Sequence, residues 1–244
     1  MKKPSTLFFI AMLWHGYSCV EAARLIGAEV PPFVMGEGSP YGPGIAVEII
    51  LVAAKELGEP AIIEIKPFAR ALKETAYGHD SLLVPPGRVP ERENLYRWVA
   101  SLIDEAFVLF TDRRHHLLPL KKTDLAGLTI GVMRGSVGEK IIKSVDGIHI
   151  EASKDEITNA KKLALGRIDA WAVSLNTGLY IQRMAGLDER QLVRGDILSH
   201  VKLYIVSSPD LPLKDVLRWR LTIEKMSQDG TMQEIKKRYK YVSP

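Results

Sequence analysis

Two hydrophobic periods alternate along the chain, and their order predicts its elements. Residues 25–30 form a compact apolar run that reads as a strand. Pro31-Pro32-Phe33 breaks it, so that an aromatic ring falls at a strand end. Beyond the glycine-rich stretch 36–44, Val47, Ile50, Leu51, Ala54 and Leu57 recur at helical spacing, and Gly58 supplies the stop. The pattern then gives a strand over 61–66, a helix from Pro67 to Gly78 with Phe68, Ala71 and Leu72 on one face, and a strand over 80–84. That strand runs into Pro85-Pro86-Gly87-Arg88-Val89-Pro90, a rigid turn that delivers Glu91, Arg92 and Glu93. A buried strand follows over 106–111, and the polar segment 112–116 marks a crossing between two halves of the chain.

The second half opens on 125–143, where Leu128, Ile130 and Val132 give way to Arg134-Gly135-Ser136-Val137-Gly138 and then to a helix carrying Glu139, Ile141 and Ile142. The first amides of a helix lack intrahelical acceptors and lie at the positive end of its dipole, so such a turn can hold a carboxylate or phosphate, with Ser136 adding a hydroxyl donor. Plain chain reversal is the alternative. Spacing excludes a P-loop, a nucleophile elbow and a complete dinucleotide fingerprint. Ser153 and Glu156 predict a capping box for a helix through Leu165, stopped by Gly166. A strand over 168–173, a helix over 176–185, a strand over 201–206 and helices over 213–228 and 231–239 complete an α/β pattern.

Ahead of all this, Lys2 and Lys3 precede the apolar run 7–14, which is too short to span a bilayer, and Val20-Glu21-Ala22 offers small residues for a cut. Residues 1–22 therefore read as an export signal, with a lipid anchor at Cys19 as the lesser alternative. Removing Lys2, Lys3 and Glu21 from 33 basic and 29 acidic residues leaves 31 and 28, a formal charge of +3. That mild balance, with scattered basic residues, gives no nucleic-acid footprint. The sole cysteine is Cys19, so a mature chain must be held by its core, without disulfides. His79, His115, His116, His149 and His200 show no metal-ligand spacing, and neither a metal nor another cofactor is expected.

The order of motifs resembles the family 3 bacterial extracellular solute-binding proteins, the periplasmic amino-acid receptors of ABC transporters. Pro32-Phe33 with GPGIAVEI (42–49), Val89-Pro90-Glu91-Arg92, LAGLTIGVMRGS (125–136), Gly166-Arg167-Ile168-Asp169-Ala170, and Asp229-Gly230-Thr231 with Ile235 and Tyr239 carry the resemblance over nearly the whole mature chain. It implies the type II periplasmic binding protein fold: two α/β lobes, joined by two hinge strands, closing over a ligand in the cleft. Residues 23–112 and 204–244 form lobe 1 in this reading, and 113–203 form lobe 2. Arg92 falls on the family's carboxylate-binding arginine, Gly135, Ser136 and Val137 on its second-lobe carboxylate contacts, and Phe33 on its ligand-packing aromatic. Ser174 stands where the family places an ammonium-binding aspartate, so the ligand is expected to be a carboxylate without an α-ammonium, or an amine met by Asn176 or Glu37.

Each assignment has a plainer competitor. Arg92 can pair with Glu91 or Glu93, Phe33 can be core, Asp169 can order its own turn, and Arg70 can be a solvated charge rather than an anion contact. Trp98 and Trp171 can stack on a ligand ring or fill the core. The expected function is a non-catalytic, monomeric periplasmic receptor that hands a small carboxylate-bearing solute to an ABC permease. The alternatives are a cyclohexadienyl-dehydratase-like enzyme, with Glu37 or His79 as general acid, and a sensory domain.

Overall fold

The computed structural model describes residues 22–36 and 38–244; the expected leader apart from Ala22, with Cys19, and the candidate acceptor Glu37 lie outside the described residues. In chain order the elements are β1 (Arg24–Glu29), α1 (Ile45–Leu57), β2 (Ile63–Pro67), α2 (Phe68–Tyr77), β3 (Ser81–Val84), β4 (Arg97–Asp112), β5 (Thr129–Met133) and α3 (Val137–Lys143). They continue as β6 (His149–Ser153), α4 (Glu156–Ala164), β7 (Ala170–Ser174), α5 (Leu175–Met184), β8 (Leu192–Ser207), α6 (Leu213–Gln228) and α7 (Thr231–Arg238).

The strands form one mixed sheet in the order β2-β1-β3-β8-β4-β7-β5-β6. β1 pairs in parallel with β2 and β3, and β5 in parallel with β6 and β7, so each half is a small α/β sheet. Between them β4 and β8 run antiparallel from Arg97↔Ser207 to Asp112↔Leu192. β3 meets β8 at Leu82↔Ser207, whereas β7 meets β4 at Phe107↔Ser174 and Phe110↔Trp171. These registers aim the carboxyl ends of both parallel sets at the middle of β4 and β8, from opposite sides. Strand ends facing each other across two shared strands make a cleft between two lobes, which is where α/β sheets bind ligands.

Helix placement follows from where the apolar stripes fall. α1 and α6 bury Ile45, Ile49, Ile50, Val216, Trp219 and Ile223 against one face of the lobe 1 strands, while α2 lays Ala71 on the other. In lobe 2, α4 and α5 cover Phe110 and Trp171, and α3 sets Ile142 beside Ile130 and Val132 on the opposite face. β4 changes core along its length, from Val99, Leu102 and Ile103 in lobe 1 to Ala106, Val108 and Phe110 in lobe 2.

Three expectations are corrected. β4 and β8 are 16 residues each, far longer than the runs at 106–111 and 201–206. The added segments carry Asp104 and Glu105, and Arg194, Asp196, His200 and Lys202, and the pairing of β4 with β8 has four register shifts, which break the regular alternation that would announce a long strand. The α4 cap is Asp155, whose side chain accepts from Thr158 N at 2.7 Å; Ser153 lies in β6, and Glu156 is turned inward to accept from Trp171 Nε1 at 2.8 Å. A Ser-x-x-Glu pair caps α3 instead, where Ser136 Oγ accepts from Glu139 N at 3.1 Å and the Glu139 carboxylate reaches back to Gly135 N, one residue before the cap.

Candidate functional site

Arg92 ends a 3-10 turn, Pro90–Arg92, that projects from lobe 1 just past the carboxyl end of β3. Its guanidinium lies over the Phe68 ring, 5.6 Å from the centroid, and donates to Gly87 O at 3.3 Å. Neither acidic neighbour is its partner: Glu93 pairs with Arg88 at 2.5 Å, and Glu91 reaches across the cleft to Lys140 on α3 at 3.3 Å. Among the described residues no carboxylate lies within ion-pair distance of Arg92. Burial pulls its pKa below the ordinary arginine value, opposed by the negative charge of Glu91. A half-buried guanidinium with one long hydrogen bond keeps unused donors in a fixed fork, which suits a carboxylate.

Facing it across the Glu91–Lys140 contact is the glycine turn of lobe 2. Gly135 takes a φ of 75°, a left-handed conformation that favours glycine, and Gly138 brings α3 so close to β7 that a Cβ there would meet Ala172 O at 2.8 Å. This turn carries its own anion. Glu139 Oε2 accepts from Gly135 N at 2.5 Å and its other oxygen pairs with Lys143 at 2.8 Å, contacts that hold its carboxyl below the usual range. The amide expected for a ligand carboxylate is therefore already used. Ser136 keeps its hydroxyl hydrogen, because its oxygen only accepts from Glu139 N, and Val137 opens α3 half-buried.

Ser174 stands at the end of β7, buried, with Oγ donating to Thr177 Oγ1 at 2.9 Å; Thr177 in turn donates to Pro31 O of lobe 1 at 2.9 Å. The pair is a hydroxyl chain across the cleft floor. Asn176 is not free for an amine. Its Oδ1 accepts from Val242 N at 2.8 Å, and its Nδ2 serves Val242 O at 2.9 Å and Glu105 Oε2 at 3.0 Å. Phe33 is 2% exposed and packs in the lobe 1 core rather than on the cleft wall. The cause is local: Pro32 O and Phe33 O accept from Ile45 N and Ala46 N, which ties this segment to the start of α1 and turns the ring inward.

The remaining candidates fall into place. Arg70 is exposed in the first turn of α2 and has no acidic partner among the described residues. Asp169 accepts from Thr129 N at 2.7 Å and orders its turn. Trp171 is wholly buried, and Trp98 stacks edge-on with Tyr204 under the Arg88 guanidinium. His79 pairs with Asp210 at 2.7 Å beside the amino end of β3, the end remote from the cleft, so it cannot act as an acid there. No group of three or more metal-ligating side chains is found among the described residues.

Sequence reasoning missed four participants. Glu139 was legible through the Ser-x-x-Glu spacing, but Glu105 and the Val242 tail had no local signal. Glu29, exposed at the carboxyl end of β1 and without a basic partner among the described residues, was hidden as the last residue of a strand run.

No family profile matches the chain, and no curated protein matches it. Solved structures do. The GluR0 ligand-binding core in complex with L-glutamate superposes with a TM-score of 0.76 at 15% identity, over 90% of this chain and 99% of that one. A mutant of ArgBP from T. maritima gives 0.72 at 19%, over 89% and 95%. AncCDT-1, an ancestral amino acid-binding protein described as a precursor of cyclohexadienyl dehydratase, gives 0.72 at 16%, over 89% and 95%. At these identities the likeness establishes the architecture: the chain has the two-lobed periplasmic binding protein fold. Within that architecture, the fold of this chain is the one the GluR0 core and ArgBP share with it, over nearly their whole length.

Proposed function

We propose that the protein is an exported, non-catalytic receptor for a small carboxylate-bearing solute. It closes over the ligand by hinging at β4 and β8 and presents it to an ABC permease. Lobe 1 comprises 23–112 and 204–244, lobe 2 comprises 113–203, and the leader is removed after Ala22. One observation carries the reading. Arg92 is a half-buried guanidinium without a carboxylate, in a turn that already touches α3 of the other lobe through Glu91 and Lys140. A ligand anion on Arg92 would lie between the lobes, with the Ser136 hydroxyl and Arg70 at its margins, and contacts made only on closure favour the closed state.

The ligand is a carboxylate that lacks an α-ammonium. A desolvated cation needs a paired carboxylate or several oriented acceptors, and Ser174 offers one hydroxyl already bonded to Thr177. Among the residues near the cleft edge, Glu29 is the acceptor that would serve an amine. Thermal-shift screening over amino acids, organic acids and amines identifies the ligand class, and calorimetry on matched pairs, each an α-amino acid and its deaminated acid, tests the specificity. Tight binding of the amino member alone, abolished in Glu29→Gln, would replace this reading with amine recognition through Glu29.

The similarity to AncCDT-1 keeps an eliminating dehydratase as the second reading. It needs a general acid at the leaving hydroxyl. Turnover of a cyclohexadienyl acid by purified protein is its test.

A further inference from the structure

At the end of lobe 1 remote from the cleft, a cavity of about 250 Å³ is lined by Ala22, Ala23, Glu59, Asp80, Leu211, Lys214, Asp215 and Trp219. The carboxylates of Glu59 and Asp215 are mostly buried, with side chains 14% and 11% exposed, and both depend on one guanidinium nitrogen, Arg218 Nη1, at 3.3 Å each. Asp80 and Lys214, both exposed, also line the cavity, so with Arg218 behind Glu59 and Asp215 the region holds three carboxylates to two cations. Trp219 is wholly buried; its indole N–H lies beside Glu59 yet short of hydrogen-bond geometry, an unpartnered polar atom in the cavity wall. Two mostly buried carboxylates that share one guanidinium nitrogen leave room for a second, compact cation, which would also draw Glu59 into place as the acceptor for the Trp219 N–H.

We propose that the missing cation is the chain's own α-ammonium: hydrolysis of the Ala22–Ala23 bond by a leader peptidase frees the amine of Ala23, which docks between Glu59, Asp80 and Asp215. Water is the co-reactant, leaving a carboxylate on Ala22 and a protonated amine on Ala23. The position is already set. Arg24 N donates to Asp80 O at 2.8 Å, which pins the start of β1 beside the cavity, and Ala23 lines its wall. Lys214 is the competing cation, but it is exposed, and immobilising its long side chain costs entropy that an already anchored main-chain amine does not lose. The inference rests on the export reading and not on the identity of the ligand. It makes leader removal a stabilising step of maturation as well as a release from the membrane.

The test uses exported protein. Intact mass reads the N-terminus, and the pH dependence of labelling by an amine-reactive probe titrates the α-amine. The expected N-terminus is Ala23, with an amine titrating at least about one unit above the ordinary range of about 7.7–8.0. Glu59→Gln or Asp215→Asn returns it toward that range, and Lys214→Ala does not. Acetylating the amine lowers the melting temperature and shifts the indole emission, a shift that is lost in Trp219→Phe. A different N-terminus, or a wild-type amine titrating in the ordinary range, overturns the proposal; the wild-type titration decides even if a variant fails to fold. A protein that binds no carboxylate would still give this titration, so the two readings fail separately.

Discussion

The two edges of the cleft were expected to share one ligand anion, yet they are prepared for it differently. On lobe 1 the Arg92 fork is unspent, with both neighbouring acids engaged elsewhere. On lobe 2 the glycine turn is satisfied from within, its Gly135 amide bonded to Glu139 and that carboxylate neutralised by Lys143. One edge is a site held open; the other is a turn made rigid. The difference teaches that a glycine turn before a helix can be finished structure, and that charge bookkeeping over neighbouring residues separates the two cases better than the motif does.

The largest expected effect breaks the open edge. Arg92→Ala weakens binding of the cognate carboxylate by about 1.5–3 kcal/mol, the value of a charged hydrogen-bonding group, with the fold intact. Calorimetry beside a circular dichroism melt checks it, and unchanged affinity would reduce Arg92 to a surface charge. At the finished edge the effect reverses. Glu139→Ala lowers the melting temperature, because the carboxylate that accepts from Gly135 N and pairs with Lys143 is lost while the Ser136 cap on the residue 139 amide stays, and ligand affinity stays close to wild type. A large loss of affinity there would restore the turn as a shared binding element.

Beneath both edges, pH sharpens the comparison. Glu105 is 1% exposed in β4, and burial raises its pKa to about 7, although its partners Ala106 N and the Asn176 amide and side chain are all donors that favour the ionised form. A carboxyl whose folded pKa is raised binds its proton more tightly in the native state. Its contribution to stability is therefore fully present below the unfolded value of about 4.3 and is lost as pH rises through about 7. Melting temperatures measured from pH 5 to 8 should fall more steeply for wild type than for Glu105→Gln; equal slopes would show that another group controls the hinge. The smallest effect is at the rim. Lys140→Ala removes an exposed cross-cleft pair and should change affinity only at low salt, since such pairs are screened.

Much of this was legible in the sequence where one physical signal dominated. α6 reads at 213–228 because apolar residues recur at helical spacing between Pro212 and Gly230, and α1 ends where Gly58 takes a φ of 69°. The order of strands and helices followed from the alternation of periods, and Arg92 from the rigid proline turn before it. Other features depended on partners distant in sequence. The crossing parts of β4 and β8 interrupt their apolar positions with charges and register shifts, Phe33 was turned inward by hydrogen bonds to α1, and Asn176 was claimed by Val242, 66 residues away. The Ser136–Glu139 box was within reach, because its spacing equals that of Ser153–Glu156; what separated the two was the burial of Glu156 against Trp171.

Tyr241 and Val242 lie beside the pivot. Val242 exchanges both main-chain hydrogen bonds with the Asn176 amide of lobe 2, while the Tyr241 hydroxyl donates to Asp104 O in the crossing strand, so this segment is fastened to the axle rather than to the body of a lobe. A fluorophore attached to a cysteine introduced at Ser243 would therefore sit where the angle between the lobes changes, with little lever arm of its own. Its emission would track that angle, whereas a bulky label at the same point would load the joint it was meant to leave alone.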